Sequence, residues 1–390
     1  MSVWRHRGAV AVAGIGTTPY YKRGQASDSI VGLAVRAIVA ACDDAGIDPG
    51  DVDGFVSYGA DRNAAGRLMP SLGTRELRWS TLVWGGGGGG SAGAISVAAS
   101  AILADLADTV VVYRAVHQGA DGRLAEAVKE DHLSPQYEIN GINIPIEMMA
   151  LRTRRMIDGG GVPATAMREF SRAAYFHASN NPAASSRGRL LGSEDYQDSP
   201  MLADPYRLYD CSRENDGAAA VIVTSAARAR DLRQAPAYVV AAPQASPPGW
   251  GERQESRDPY ETAGFSAVGR ALWTQSGCSP ADVDVAQVYE NTSGGAVAVM
   301  MDLGLTTPQG AGEFFRYDNL IAPDGRLPVN TAGGNLAEGF FHGMGLALEG
   351  VRQIRGTSCN QVPGAHLSLV TGGPWAAPAS AFLLSDAPAP

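Results

Sequence analysis

Cysteine is scarce in this chain. Only Cys42, Cys211, Cys278 and Cys359 occur in 390 residues, widely separated and without a CxxC pair. That spacing argues against a zinc site or a disulfide framework and fits a reducing, cytoplasmic compartment. Clustered positive charge is also missing. Lys and Arg number 31 against 40 Asp and Glu, a net charge of −9, so there is no basic footprint for nucleic acid. An anionic substrate has to be met locally, by a few arginines or by backbone N–H groups. No apolar run reaches the roughly 20 residues of a membrane helix. The segment Ala9–Ile15 is too short for a span, and the start of the chain lacks a charged-then-apolar export pattern. The reading is a soluble protein. Glycine, by contrast, is plentiful at 48 residues, with six in a row in WGGGGGGSAGA (Trp84–Ala94). Such a run gives up much chain entropy on folding, so the backbone there must come close to something.

Strand-like and helix-like segments alternate. AVAVAGIG (Ala9–Gly16), DGFVSYGA (Asp53–Ala60), TVVVYRAV (Thr109–Val116) and AAAVIVTS (Ala218–Ser225) are β-rich. Ser27–Ala45 carries apolar residues at helical spacing, with Ser27 or Asp28 as the predicted cap, and Gly90–Ala107 is an Ala-rich predicted helix. The pattern predicts an α/β fold. From about 118 to 215 six prolines loosen it, although IEMMALRTRRMI (Ile146–Ile157) keeps helical character. That stretch reads as an inserted loop or cap region over the active site.

The second half repeats the first. An offset of 231 carries Pro49 onto Pro280, Asp51 onto Asp282, Val52 onto Val283, Asp53 onto Asp284 and Tyr58 onto Tyr289. AYVVAA (Ala237–Ala242) echoes AVAVAG, and HLSLVTGG (His366–Gly373) reads as an echo of AVIVTS. An internal duplication accounts for these matches. The boundaries are residues 1–235 for the first half, including the insertion, and 236–390 for the second.

With these landmarks in order, the chain resembles the thiolase superfamily over essentially its whole length. The resembling branch is the lipid-transfer-protein, or sterol-carrier-protein X, thiolase-like group. The residues that carry it are GIGTTPY, the glycine-rich turn into the Gly90 helix, RLYDCSRENDGAAAVIVTS, VYENTSG, GGNLAEGFFHGMG and LVTGGPWA. The resemblance implies a five-layered αβαβα fold with two mixed β-sheets, and a dimer. It also implies where thiols should be. The nucleophile's place falls on Gly87, give or take a residue, and the second catalytic cysteine's place falls near Val370 or Thr371, before Gly372 and Gly373. Neither place holds a cysteine, so covalent thiolysis is set aside. The strand-end Asn or His of the family matches Tyr289, and the histidine of its glycine-histidine-proline motif matches Phe340.

A subgroup with glycine at the nucleophile place and tyrosine at the Asn/His place acts as aldolases on steroid side-chain CoA thioesters. Resemblance to it implies retro-aldol cleavage of a β-hydroxyacyl-CoA, with no cofactor beyond the CoA of the substrate and no metal. It also implies a small partner with an OB-fold and zinc ribbon. Phe340 departs from that subgroup, where a polar hydroxyl is expected. The predicted catalytic residues are Tyr289, as base or hydroxyl donor; Glu290, polarising Tyr289 or a solvated strand-end charge; His342, as acid or base; and His117, at the end of the strand VVVYRAVHQG. The predicted substrate-binding residues are Gly87, Gly88, Asn291 (orienting a carbonyl or capping a helix), Phe340, Gly372 and Gly373. Tyr113 and Arg114 read as packing and surface or interface residues. The glycine run lacks the GK[ST] ending of a P-loop and so predicts an oxyanion site with room for a bulky acyl group. Two rival readings stand beside the aldolase: a non-catalytic partner subunit that binds lipid acyl-CoA, and an acyltransferase with a displaced nucleophile.

Overall fold

The computed structural model describes residues 2–59, 61–84, 88–119, 135–251 and 258–389. Each half begins with a strand and a helix whose local sequence sets its ends. In the first, β1 (Val10–Thr17) leads to α1 (Ile30–Ala45), which starts where the Ser29 side chain accepts the Gly32 N–H and stops at Gly46 with φ 75°. The cap is therefore Ser29, one residue beyond the predicted pair, because the oxygen must sit three residues before the N–H it accepts. In the second half, β6 (Ala237–Ala241) leads to α5 (Ser266–Ser276), stopped by Gly277 with φ 73°. Gly46 and Gly277 are also 231 residues apart. Both supply the left-handed residue that ends a helix without a Cβ clash.

The remaining major elements of the first half are β2 (Gly54–Tyr58), β3 (Trp79–Val83), α2 (Ser91–Leu103), β4 (Thr109–His117) and β5 (Asn215–Ser225). Between β4 and β5 lie α3 (Pro145–Asp158) and α4 (Thr165–Asn180). The second half continues with β7 (Val285–Gln287), α6 (Ser293–Asp302), α7 (Met344–Arg355), β8 (Leu367–Thr371) and β9 (Ala379–Ser385). Pairing runs β3-β2-β4-β5-β1 in the first half and β7-β8-β9-β6 in the second. The two half-sheets meet where Ala11 and Val12 of β1 pair antiparallel with Tyr238 and Ala237 of β6, which makes the hydrogen bonding continuous across them.

The duplication is structural. Pro49–Asp51 and Pro280–Asp282 are both single 3₁₀ turns, each leading into a strand that pairs in parallel with its neighbour. Asp53 accepts the N–H groups of Asp108 and Thr109 at the start of β4. Its mate Asp284 accepts those of His366 and Leu367 at the start of β8. One echo is corrected. HLSLVTGG forms β8, which pairs in parallel with β7 as β4 does with β2; the mate of AVIVTS (β5) is β9, antiparallel to β8. Short apolar runs of similar composition do not reveal pairing direction, and the parallel ladder does.

Side-chain alternation sorts the core into layers. Val111, Tyr113, Ala218, Ala220 and Ile222 face α1. Their neighbours Val110, Val112, Val221 and Val223 face inward onto α2 and α7, which also cover Val239, Val370, Phe382 and Leu384 of the second half-sheet. The outer face of that half-sheet, with Ala286, Leu369 and Leu383, packs on α4, α5 and α6. The sequence thus runs helix, sheet, helices, sheet, helices. The insertion packs onto the second half. Tyr206 accepts a hydrogen bond from Thr292 Oγ1 at 3.0 Å, and Asp210 accepts one from Ser293 Oγ at 2.6 Å, both at the start of α6. Among the described residues no helix is long and apolar enough to cross a membrane.

Candidate active site

The site forms where the ends of β2, β4, β7 and β8 meet the N-termini of α2 and α7. Tyr289 lies two residues past the end of β7 and is buried. Its backbone N–H donates to Thr371 Oγ1 at 2.9 Å, which ties it to the end of β8. Its ring lies against three glycines. A Cβ on Gly88 would stand 2.0 Å from Tyr289 Cε2 and 2.3 Å from its hydroxyl oxygen. One on Gly343, whose φ is 90°, would stand 2.7 Å from Cδ2, and one on Gly373 would stand 3.3 Å from Cε1. The phenol thus occupies the space that a side chain at the glycine turn would need. Gly85, Gly86 and Gly87 lie outside the described residues; Gly88, Gly89 and Gly90 are the described members of that run. Gly373 N–H donates to Gly88 O at 3.0 Å, so the late Gly372-Gly373 turn and the glycine run close on each other.

Burial raises the Tyr289 hydroxyl pKa above its ordinary value; Glu290 adds to that rise, and Arg114 partly opposes it. Burial therefore favours the protonated phenol, a form that can donate a hydrogen bond. The Phe340 ring stands edge-on to Tyr289 with centroids 6.4 Å apart, and His342 stands edge-on to Phe340 at 4.7 Å. Phe341 points elsewhere and stacks on Tyr20 at 4.4 Å.

His342 has a φ of 49°, a left-handed conformation that costs a non-glycine residue on the order of 1 kcal/mol. Tyr58 holds it there, with its hydroxyl 2.8 Å from the His342 carbonyl oxygen. Tyr58 is the repeat mate of Tyr289, so one tyrosine of the pair braces the site and the other enters it. Arg114 is the residue the sequence reading placed wrongly. It is only 5% exposed and donates from Nε to His342 Nδ1 at 3.0 Å, and from a terminal nitrogen at 2.8 Å. Asp61 lies 3.5 Å from its guanidinium. The available signal was a single cation inside the apolar run VVVYRAV, where a buried charge requires a partner.

The other predicted residues are placed apart. The Glu290 carboxyl is buried in the notch above Gly334 and bonded to Asn335 Nδ2 and the Leu336 N–H. Burial pushes its pKa well up, so it is not a solvated strand-end charge, and it lies near enough to Tyr289 to add to the rise of that phenol's pKa. It braces the turn beside the site. Asn291 accepts its neighbour Thr292's N–H through Oδ1, and its carbonyl oxygen accepts the Ser212 N–H. It belongs to the seam with the insertion. His117 alternates with Tyr113 and Ala115 on the α1 side of β4, the face opposite to Arg114. None of the free cysteines belongs to this cluster, and burial pushes the Cys42 thiol up to about 12.

Two layered half-sheets with a site between their helix N-termini define a thiolase-type α/β fold. The family model for the thiolase C-terminal domain-like family matches residues 251–385. The chain is similar to the 17-hydroxy-3-oxo-4-pregnene-20-carboxyl-CoA lyase of Mycobacterium tuberculosis, 37% identical over 94% of this chain and 96% of that one. It is 34% identical to the steroid side-chain-cleaving aldolase of Thermomonospora curvata, over 94% of this chain and 95% of that one. Among solved structures, the Ltp2-ChsH2(DUF35) aldolase superposes with a TM-score of 0.89 at 33% identity, covering 97% of this chain and 98% of that one. The chain belongs to the thiolase superfamily, in the thiolase-like branch that holds the steroid side-chain-cleaving aldolases.

Proposed function

We propose that this protein is a carbon–carbon lyase that cleaves a β-hydroxyacyl-CoA with a steroid-like chain by retro-aldol chemistry. The observation that carries the reading is the Tyr289 phenol seated over Gly88, next in the chain to Gly87, where the resemblance puts the family's thiol. In the reaction the Cα–Cβ bond breaks and its electron pair passes into the thioester enolate. The β-hydroxyl loses its proton as it becomes a ketone or aldehyde, and the enolate carbon gains one to leave a shorter acyl-CoA. A phenol held protonated by burial suits the enolate end of that exchange. No step needs an acyl-enzyme, a metal or a cofactor beyond the substrate's CoA.

The similar Ltp2-ChsH2(DUF35) structure is a complex, which supports a heteromeric partner of the OB-fold and zinc-ribbon type here. A homodimer is supported by the edge strand β3, where Leu82 is 47% exposed and the following Trp84 85% exposed. Free cysteines throughout suit a cytoplasmic setting. The rival reading, a non-catalytic acyl-CoA-binding subunit, is favoured by the apolar Phe340 beside Tyr289.

The test is to incubate the protein, with and without its co-purifying partner, with 17-hydroxy-3-oxo-4-pregnene-20-carboxyl-CoA and a panel of β-hydroxyacyl-CoAs. Mass spectrometry reads the two fragments. Tyr289→Phe is expected to lower kcat by about 10²–10⁴-fold, and iodoacetamide to leave it unchanged. Binding without cleavage under every condition would favour the non-catalytic subunit, and inhibition by alkylation would revive an acyltransferase.

A further inference from the structure

The reading above leaves the role of His342 open between acid, base and donor, and the Arg114 contact narrows it. A guanidinium has hydrogen-bond donors and no acceptor. Two of its nitrogens lie 3.0 and 2.8 Å from His342 Nδ1, so that ring nitrogen offers its lone pair. The ring proton is then on Nε2. That nitrogen is buried and has no hydrogen-bond partner among the described residues. A buried N–H without an acceptor is rare in a folded protein, and this one stands in the ring cluster that contains the Tyr289 phenol.

We propose that Arg114 locks His342 as a neutral imidazole protonated on Nε2, and that this N–H donates a hydrogen bond to the thioester carbonyl oxygen of a bound acyl-CoA, the oxygen that becomes the enolate. The donor role rests on the acyl-thioester reading of the site. The charged and titratable groups around the ring are consistent with it. From β4 comes Arg114, and Asp61 pairs with that guanidinium while accepting the Ala115 and Asn63 N–H groups. From β2 comes Tyr58, which bonds the His342 carbonyl oxygen. From the end of β7 comes Tyr289, with Glu290 turned away toward Asn335. Among the described residues no carboxylate is bonded to the imidazole. Arg114 engages the Nδ1 lone pair that a base would use, and burial first, with Arg114 second, disfavours the charged form, so the arrangement favours a neutral donor. Arg114 is a positioning residue, acting through His342.

The experiment uses the full chain, with its partner if one is required, and isotope-labelled histidine. The His342 resonance is identified by its absence in His342→Gln. NMR is expected to show Nε2 protonated and Nδ1 unprotonated, with no titration from pH 8 to pH 5. Arg114→Leu removes the smaller of the two causes, so it is expected to raise the His342 pKa while burial still holds it below the ordinary value of about 6.5, and to release Nδ1 so that the tautomer is no longer fixed. Adding 17-hydroxy-3-oxo-4-pregnene-20-carboxyl-CoA is expected to move the Nε2 proton downfield. His342→Gln, which keeps a donor, is expected to stay within about 10-fold of the parent kcat, while His342→Leu loses about 10²–10³-fold. A wild-type imidazole that titrates near 6.5, or a proton on Nδ1, would overturn the lock even if Arg114→Leu fails to fold. An unmoved Nε2 proton, or Gln and Leu variants of equal rate, would overturn the donor role. If the compound is bound but never cleaved, the lyase reading fails separately, and the proton shift still decides the donor.

Discussion

Placing one methyl group on Gly88 should cost more than any cavity it fills. The added Cβ stands 2.0 and 2.1 Å from two ring carbons of Tyr289. Ordinary carbon contact is about 3.5 Å, so the ring must retreat by about 1.5 Å. It has little room to do so. Gly343 and Gly373 close on the same ring, and Thr371 holds its backbone. Overpacking of this kind costs about 1–3 kcal/mol. Gly88→Ala is therefore expected to lower unfolding stability by that amount and to abolish cleavage. Tyr289→Asn removes the ring and leaves a cavity, with a loss of its own. The two changes relieve each other, so the double variant should be about 1–3 kcal/mol more stable than the sum of the single losses predicts. Urea unfolding of the four proteins measures that coupling. Additivity within about 0.5 kcal/mol, or a Gly88→Ala protein as stable as the parent, would refute the claim that the phenol fills the space a side chain on Gly88 would need.

Asp53→Ala and Asp284→Ala each strand two N–H groups at a strand start, and each is expected to cost about 1–3 kcal/mol in urea unfolding; a loss at one position and none at its mate would count against equivalent roles. His177 is buried, accepts the Ala322 N–H through Nε2, and has its pKa pushed down to about 3 by burial. Below the unfolded value of about 6.5 the unfolded chain takes up a proton that the folded one refuses, so stability falls as pH drops from about 6.5 toward 3, by about 1.4 kcal/mol per unit. His177→Gln keeps an acceptor and should show a shallower acid slope between pH 6.5 and 5; an identical slope would mean that His177 is charged in the native state. Glu338, raised to about 8 mainly by burial, loses its stabilising contribution in the opposite sense, as pH rises from about 4.5 to 8, so the difference between parent and variant is the informative quantity.

Much of the fold was legible because its signals are local. Glycine stops at Gly46 and Gly277, the Pro-x-Asp turns, and the Asp residues that catch strand starts lie within a few residues of the elements they set. The exchange of β5 for β8 in the repeat shows the limit: both segments are short, buried and β-branched, and only their neighbours reveal which is parallel. Glu290 shows another. A carboxylate at a strand end reads as exposed, yet Gly334 leaves a notch that buries it.

The sequence by itself determined where the four cysteines stand and that the chain is duplicated, which follow from identity and spacing along one chain. That neither catalytic place holds a thiol, and that Tyr289 holds the strand-end position, is what the family resemblance implies. Only the tertiary structure decided that the Tyr289 ring rests on Gly88, that Arg114 reaches His342 across 228 residues of chain, and that His117 turns away from both. Those facts depend on how two half-sheets close around shared helices and on which face of β4 points inward. The physical reason is that alternation along a strand tells which residues share a face, and packing between distant strand ends tells what that face meets.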